Sequence, residues 1–179
     1  MKSFENNTDW KELTPNPHPP YSVLGLSIGT KHIGIAVENG KELIEWRVRR
    51  FRGKWSDDKL QIILSYLERI IAKHHIEAIT VKTPETHYHT AAFAALKNGL
   101  VALGKEKKVQ VYGYTIRDLK SWYRVQGNTF KEALMEAMLD LRPELKHEYL
   151  KEKKYKTGYY IRIFEAVATI HLCYRIWDY

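Results

Sequence analysis

The chain has 179 residues, of which 44% are hydrophobic, so it is long enough to bury a core and is expected to form one globular domain. Lysine and arginine outnumber aspartate and glutamate by 29 to 21, and the net charge of +8 favours a polyanionic partner such as nucleic acid. The single cysteine, Cys173, excludes an intramolecular disulfide. Because there is no signal-peptide core and no apolar run of membrane-spanning length, we expect a cytoplasmic protein without a membrane partner.

The chain opens with a polar segment that carries four prolines in "TPNPHPP", so residues 1–20 are expected to form a flexible lead-in to a domain over residues 21–179. Two apolar runs, 22–26 and 32–37, then flank "SIGTK". The sequence "ENGK" is a hairpin signal, and a third run extends from residue 42 to about residue 52. These runs predict three antiparallel strands.

Alternating helices and strands follow the three strands. Ser56 is placed to cap a helix whose apolar face contains Leu60, Ile63, Leu67, Ile70 and Ile71. An apolar strand over 76–84, an alanine-rich helix over 90–105 and a strand over 109–115 come next. Sequential helix crossovers make the later strands parallel to the first.

The last third of the chain is predicted to be mainly helical. Two helical stretches follow residue 115, and Thr129 and Glu132 have capping-box spacing at the start of the second. A charged connector over 142–158, partly helical, leads to an apolar helix over 159–177. We therefore predict an α/β fold in which a three-strand antiparallel meander and two parallel strands form a mixed five-strand sheet with helices on both faces.

Four segments carry a resemblance to a known family. "VLGLSIGTKHIGIAV" resembles the first hairpin of the ribonuclease H-like superfamily, specifically the RuvC and YqgF branch of Holliday junction resolvases and related nucleases. "IEAITVKTPETHYHTAAFAALKNGLVAL" and "VQVYGYTIRDLKSWY" are similar to the fourth and fifth strands with their following helices, and "RIFEAVATIHLC" is similar to the last helix. The resemblance covers residues 21–179 in order and implies a ribonuclease H-like fold.

The family resemblance also implies an enzyme, a Mg²⁺-dependent endonuclease whose two metal ions are held by about four carboxylates. The positions that match those acids are Ser27, Lys82, Arg162 and Glu165, of which only Glu165 is acidic. Their summed charge is about plus one instead of minus four, so the set is expected to repel a divalent cation. We therefore predict a pseudo-nuclease that binds nucleic acid, branched DNA included, and needs no cofactor.

A relocated metal site is the alternative prediction, and it would make the protein an active Mg²⁺-dependent resolvase-like endonuclease. Glu85 follows the fourth strand and Asp118 follows the fifth, so with Glu165 they are candidates for three oxygen ligands. Acids at these positions are also favourable near the start of a helix. For Glu165 we favour a structural role as the partner of Lys82 or Arg162.

Two sets of residues, mainly cationic, are candidates for contacts with phosphate. The first lies near the turn of the opening hairpin and in the degenerate site, and consists of Ser27, Thr30, Lys31, Lys82 and Arg162. The second, in "EWRVRRFRGKW", consists of Arg47, Arg49, Arg50, Arg52 and Lys54. Trp46, Phe51 and Trp55 lie among them as candidates for base stacking.

Two other interpretations of the cationic residues stay open. A charged edge strand is also a common defence against edge-to-edge aggregation. The fold is also suited to a homo-oligomeric scaffold, such as a homodimer, that binds no nucleic acid.

Overall fold

The computed structural model describes residues 18–84, 90–123 and 130–175. Its strands are β1 (Ser22–Ser27), β2 (His32–Asn39), β3 (Glu42–Arg50), β4 (Ala78–Thr83) and β5 (Gln110–Thr115). They form one sheet with the spatial order β3-β2-β1-β4-β5. Strand β2 pairs antiparallel with β1 and β3, whereas β4 is parallel to β1 and β5 is parallel to β4. The predicted mixed five-strand sheet is therefore confirmed.

The turn between β2 and β3 is the hairpin that "ENGK" predicts. Gly40 and Lys41 both have a left-handed backbone, with φ of 54° and 68°. Two successive left-handed residues form the tight turn whose twist matches that of the flanking strands, and glycine adopts this conformation at little cost. The hairpin leaves β3 at one edge of the sheet.

Six α-helices lie in the described part of the chain. They are α1 (Asp57–His74), α2 (Ala91–Lys107), α3 (Ile116–Tyr123), α4 (Phe130–Leu141), α5 (Lys146–Tyr155) and α6 (Ile161–Tyr174). Ser56 caps α1 as predicted, because its Oγ accepts a hydrogen bond from the backbone N–H of Lys59 at 3.1 Å. Thr129 of the predicted capping box lies outside the described residues.

The last two helices refine the sequence prediction. The charged connector over 142–158 contains α5, and a short 3₁₀ turn, Pro143–Leu145, precedes it. Helix α6 begins two residues later than predicted, and residues 176–179 lie outside the described part. No helix among the described residues is both long enough and apolar enough to cross a membrane.

The helices cover both faces of the sheet, as predicted. Helices α1 and α2 enclose a core against one face, in which Leu24, Leu26 and Ile35 are fully buried. Helices α3, α4 and α6 enclose a second core against the other face. Helix α6 packs mainly against β1 and β2, so it lies over the middle of the sheet.

Two glycines allow α6 to approach the sheet closely. A Cβ atom on Gly25 would lie 2.4 Å from the carbonyl oxygen of Ala166, and one on Gly34 would lie 2.2 Å from the carbonyl oxygen of Arg162. These contacts are with backbone atoms, which cannot rotate aside, so only glycine fits at either position. The close packing holds the first turns of α6 directly above the end of β1.

Candidate functional site

The candidate site lies at the end of the sheet where the parallel strands finish. Ser27, the last residue of β1, is in register with Lys82 of β4 on one side and with Gly34 of β2 on the other. Lys82 is in turn in register with Tyr114 of β5. The carboxyl ends of parallel strands form the usual binding crevice of such sheets, and Ser27 and Lys82 lie side by side there.

Helix α6 brings the only carboxylate of the four family positions into this crevice. The Oγ of Ser27 donates a hydrogen bond to Oε2 of Glu165 at 2.5 Å, and Nζ of Lys82 lies 3.6 Å from the same oxygen. Ser27 is fully buried, and the side chain of Glu165 is 8% exposed. Glu165 is therefore the partner of Lys82. The hydroxyl of Ser27, one of the predicted phosphate contacts, donates to Glu165 and is shielded from solvent.

Arg162, the remaining family position, lies one helical turn before Glu165, at the start of α6. Its guanidinium group covers the turn between β1 and β2, because a Cβ atom on Gly29 would lie 3.1 Å from Nη1 and 3.3 Å from Nη2. Thr30 and Lys31 belong to the same turn, and Lys31 is exposed. The structure thus brings Arg162 and the predicted turn residues to one place.

A cavity of about 400 Å³, which we call the α6 cavity, opens beside Glu165. It is lined by Lys82, Pro84, Ile116, Lys131, Gly158, Ile161, Arg162 and Glu165. Three of these side chains are cationic and one is acidic, and the first turn of α6 adds the positive end of its helix dipole. This surplus of positive charge is suited to an anion.

Lys131 is a residue of this cavity that the sequence analysis missed. It lies at the second position of α4, far along the chain from the strand ends. No motif marks it, because its place depends on how α4 packs against α6. The short sequence around Glu132 gave a helix signal and no indication of a binding role.

The donor set at the family positions does not fit a divalent cation. It contains one carboxylate, which already accepts a hydrogen bond from Ser27 and pairs with Lys82. Hard divalent cations need several oxygen ligands that neutralise their charge, and here two cationic side chains take the place of acids.

The structure does not bring the residues of the predicted relocated metal site together among the residues it describes. Oδ2 of Asp118 accepts hydrogen bonds from the backbone N–H of Thr115 at 2.6 Å and from its Oγ1 at 2.9 Å, which fixes the start of α3. Glu85 lies outside the described residues. Within the ranges that the structure describes, no group of three or more histidine, cysteine, aspartate or glutamate side chains is placed to hold a metal ion.

The second cationic set lies at the same end of the sheet, around the connection from β3 to α1. A cavity of about 740 Å³, the β3–α1 cavity, is lined there by Val48, Arg49, Arg50, Phe51, Arg52, Gly53, Lys54, Ser56, Asp58, Lys59, Ile62 and Tyr159. Four of the five predicted cations are thus brought together, with Lys59 added. The fifth, Arg47, pairs with Glu45, which also binds Lys73 and His74 of α1.

Of the three aromatic residues proposed for base stacking, Phe51 is buried, whereas Trp46 and Trp55 are half-buried. Phe51 is 7% exposed and belongs to the core beneath α1, and Trp55 packs against the same core. Trp46 packs against the core on the α6 side. Strand β3 lies at the edge of the sheet. Its exposed arginines are therefore also suited to preventing the strand from pairing with another chain.

His32 connects the surroundings of the two cavities. Burial lowers the pKa of its imidazole, and nearby positive charges lower it further; these belong to Arg162, Arg50, Lys31 and Lys59. The ring also meets that of Tyr159 edge to face, with 5.3 Å between the centroids. Cations from both cavities therefore act on one imidazole.

The strand order, the covering of both faces and the placement of α6 define a ribonuclease H-like fold of the RuvC type. RuvC from Thermus thermophilus has a solved structure that aligns with a TM-score of 0.63 and 16% sequence identity, covering 88% of this chain and 96% of that chain. The T. thermophilus RuvC in complex with Holliday junction substrate aligns with a TM-score of 0.62 and 16% identity, covering 89% and 96%. No family model and no curated protein sequence matches the chain.

Proposed function

We propose that this protein is a pseudo-nuclease, a RuvC-fold protein that binds nucleic acid and does not cleave it by metal-dependent chemistry. The observation that carries the proposal is the position of Nζ of Lys82, 3.6 Å from the single carboxylate of the site. A divalent cation about 4 Å from one fixed positive charge is disfavoured by roughly 8 kcal/mol at an effective dielectric constant of about 20. The ammonium group of Lys82 therefore disfavours a divalent cation beside Glu165.

Binding of phosphate is supported by the charge of the α6 cavity. Lys82, Lys131 and Arg162 surround it, while its one acid, Glu165, is already engaged. Charge-assisted hydrogen bonds from such groups to phosphate oxygens are stronger than neutral ones. We infer that a phosphate of the nucleic-acid backbone occupies this cavity and is held by Arg162 and Lys131.

Branched DNA is the first substrate class to test, because one of the similar solved structures is a complex with a Holliday junction. Contacts to phosphate recognise the backbone and carry no sequence information directly, so shape is expected to matter more than sequence. A four-way junction should therefore bind more tightly than a duplex of the same sequence.

The binding test is fluorescence anisotropy with a four-way junction, a duplex and a single strand over a range of salt concentrations. Affinity should fall steeply with salt, and Arg162→Gln and Lys131→Gln should each reduce the slope of log K against log salt by about one. Lys105→Gln is the matched control, because Lys105 is exposed near the end of α2, beside the amino end of β5. No binding at low salt, with stable self-association in sedimentation, would instead support the scaffold.

A cleavage assay tests the other half of the proposal. The wild-type protein should leave labelled junctions intact in the presence of Mg²⁺ or Mn²⁺. Metal-dependent cleavage that Glu165→Gln abolishes would overturn the inactive assignment and support an enzyme with relocated carboxylates. Loss of cleavage in Glu85→Gln and Asp118→Asn as well would identify the ligands.

A further inference from the structure

The β3–α1 cavity carries more positive charge than the α6 cavity. Its lining contains five cationic side chains, those of Arg49, Arg50, Arg52, Lys54 and Lys59, against the single carboxylate of Asp58. Arg49 is partly committed elsewhere, because its guanidinium group lies 5.3 Å from the ring centroid of Tyr66. The remaining four cations still outnumber the acid, and like charges gathered around one cavity repel each other until an anion enters.

Lys59 distinguishes this cavity from a patch of exposed cations, because its side chain is buried. The residue is 5% exposed, yet it carries an ammonium group. Its Nζ donates to the carbonyl oxygen of Gly53 at 2.9 Å, and no second acceptor bonds to it within the described part of the chain. An ammonium group has three N–H donors, so two are left for a ligand. A buried cation is costly unless an anion or further acceptors compensate it.

The loop beside Lys59 leaves space for such a ligand. Gly53 has a φ of 87°, and apart from its two chain neighbours no described residue places an atom within 4 Å of the position where its Cβ would be. The left-handed backbone is therefore not a response to crowding. It presents the Gly53 carbonyl to Lys59 and leaves the adjoining space open between Arg52 and Lys54, which line the cavity on either side along the chain.

We infer that the β3–α1 cavity is a second phosphate-binding site, separate from the α6 cavity, in which Lys59, Arg50, Arg52 and Lys54 hold phosphate groups. The phosphates belong either to a nucleic-acid strand or to a free polyphosphate chain, which share this chemistry. The nucleic-acid form of the inference rests on the function proposed above, whereas recognition of phosphate by the cavity does not.

The two cavities are adjacent, which is suited to a strand that enters both. Gly158 lines the α6 cavity and the next residue, Tyr159, lines the β3–α1 cavity. The hydroxyl of Tyr159 donates to the carbonyl oxygen of Val48 at 3.1 Å, which fixes the segment before α6 to strand β3. One backbone segment thus separates the sites, so successive phosphates of one strand are a suitable ligand for the pair.

Tripolyphosphate is the probe that tests the cavity independently of nucleic acid, with binding measured by isothermal titration calorimetry on the full chain. Each lost charge-assisted contact should weaken binding by at least about tenfold. Lys59→Met, which keeps much of the aliphatic stem, and the exposed pair Arg52→Gln with Lys54→Gln should both show this loss. Arg69→Gln is the control for charge, because it lies on α1 about 15 Å further along the helix axis from Lys59.

A single-stranded oligonucleotide then identifies the source of the phosphate. The nucleic-acid form of the inference is supported if the oligonucleotide competes with tripolyphosphate and the Arg52→Gln and Lys54→Gln double variant loses binding of both probes. Tripolyphosphate binding that the oligonucleotide does not displace supports a free polyphosphate and leaves the proposed function without support from this cavity.

The inference is overturned if the double variant binds both probes as tightly as the wild type. That result would leave the proposed function intact when Arg162→Gln still weakens binding of DNA. The double variant changes exposed side chains only, so the measurement stays decisive even where Lys59→Met does not fold.

Discussion

The hydroxyl of Ser27 and the carboxylate of Glu165 are joined by a 2.5 Å hydrogen bond across 138 residues of chain. Both groups are buried, one at the end of β1 and the other on α6. A hydrogen bond to a charged acceptor contributes more to stability than a neutral one. Ser27 therefore has a structural role in the position where related folds are expected to carry a metal-binding acid.

Ser27→Ala tests this role. We expect the free energy of unfolding to fall by about 1.5–3 kcal/mol, because the buried carboxylate of Glu165 loses a charge-assisted hydrogen bond. Ser22→Ala is the matched control in the same strand, since Ser22 is also buried but donates to the neutral carbonyl of His74 at 2.9 Å. Its loss should be about 1 kcal/mol. Equal losses in urea denaturation would contradict the special contribution of Glu165.

Restoring the acids should restore affinity for metal. The triple variant Ser27→Asp, Lys82→Asp and Arg162→Asp gathers four carboxylates, so we expect it to be less stable than the wild type without metal, because the acids repel. Mg²⁺ or Mn²⁺ should raise its melting temperature through preferential binding to the folded state. The wild type is the control. A comparable metal-dependent rise in its melting temperature would contradict our conclusion that the side chains at its four family positions do not fit a divalent cation.

The pKa of His32 provides a probe of both cavities. Because burial and neighbouring cations lower this pKa below the usual 6.5, the unfolded chain binds more protons than the folded one as the pH falls through 6.5. Stability should therefore decrease as the pH is lowered through that range, and His32→Gln should reduce the decrease. His74, whose pKa is also lowered by burial, accounts for part of the remaining slope.

The same imidazole should respond to the removal of charge. Arg162→Gln is expected to raise the pKa of His32, because a positive charge beside the ring is lost, and an anion bound in either cavity should raise it in the same direction. NMR titration of the ring protons measures both effects. If the pKa of His32 is unchanged in Arg162→Gln, the guanidinium group of Arg162 does not act on the imidazole.

Gly34→Ala tests the close packing of α6 against the sheet. The new Cβ would lie 2.2 Å from the carbonyl oxygen and 2.4 Å from the carbonyl carbon of Arg162, so we expect a loss of about 3 kcal/mol in unfolding free energy. The new Cβ in Gly53→Ala meets no described residue other than its chain neighbours within 4 Å, so we expect only the cost of the left-handed backbone, about 1–2 kcal/mol. A smaller loss at Gly34 than at Gly53 would show that α6 shifts freely.

The fold could be predicted from sequence because its strong signals are local. Ser56 marks the start of α1, "ENGK" marks a hairpin, and the order of strands and crossovers fixes which strands are parallel. That order predicts Ser27 at the carboxyl ends of the central strands, and the family resemblance added Lys82, which the structure places in register with it. The structure adds the pairing of Lys82 with Glu165, which the sequence left open between two cations.

The remainder of the site depends on packing between distant elements. Lys131 reaches the α6 cavity because α4 lies against α6, and the buried Lys59 is bound to the carbonyl oxygen of Gly53 in the preceding loop. The composition of "EWRVRRFRGKW" also did not reveal that Phe51 is buried and that Trp46 and Trp55 are half-buried. Side chains alternate along β3, so Trp46 points to the core on the α6 side, and Phe51, just beyond the strand, belongs to the other core.

The seating of α6 against Gly25 and Gly34 has a consequence for biosynthesis. Helix α6 covers one face of a sheet whose first strands are made more than a hundred residues earlier. Contacts of such long range form late, so the apolar surface over Val23 and Ala36 stays open on the ribosome until residues 161–174 emerge. We therefore expect a substitution that hinders the docking of α6, such as Gly34→Ala, to lower the yield of soluble protein as well as its stability.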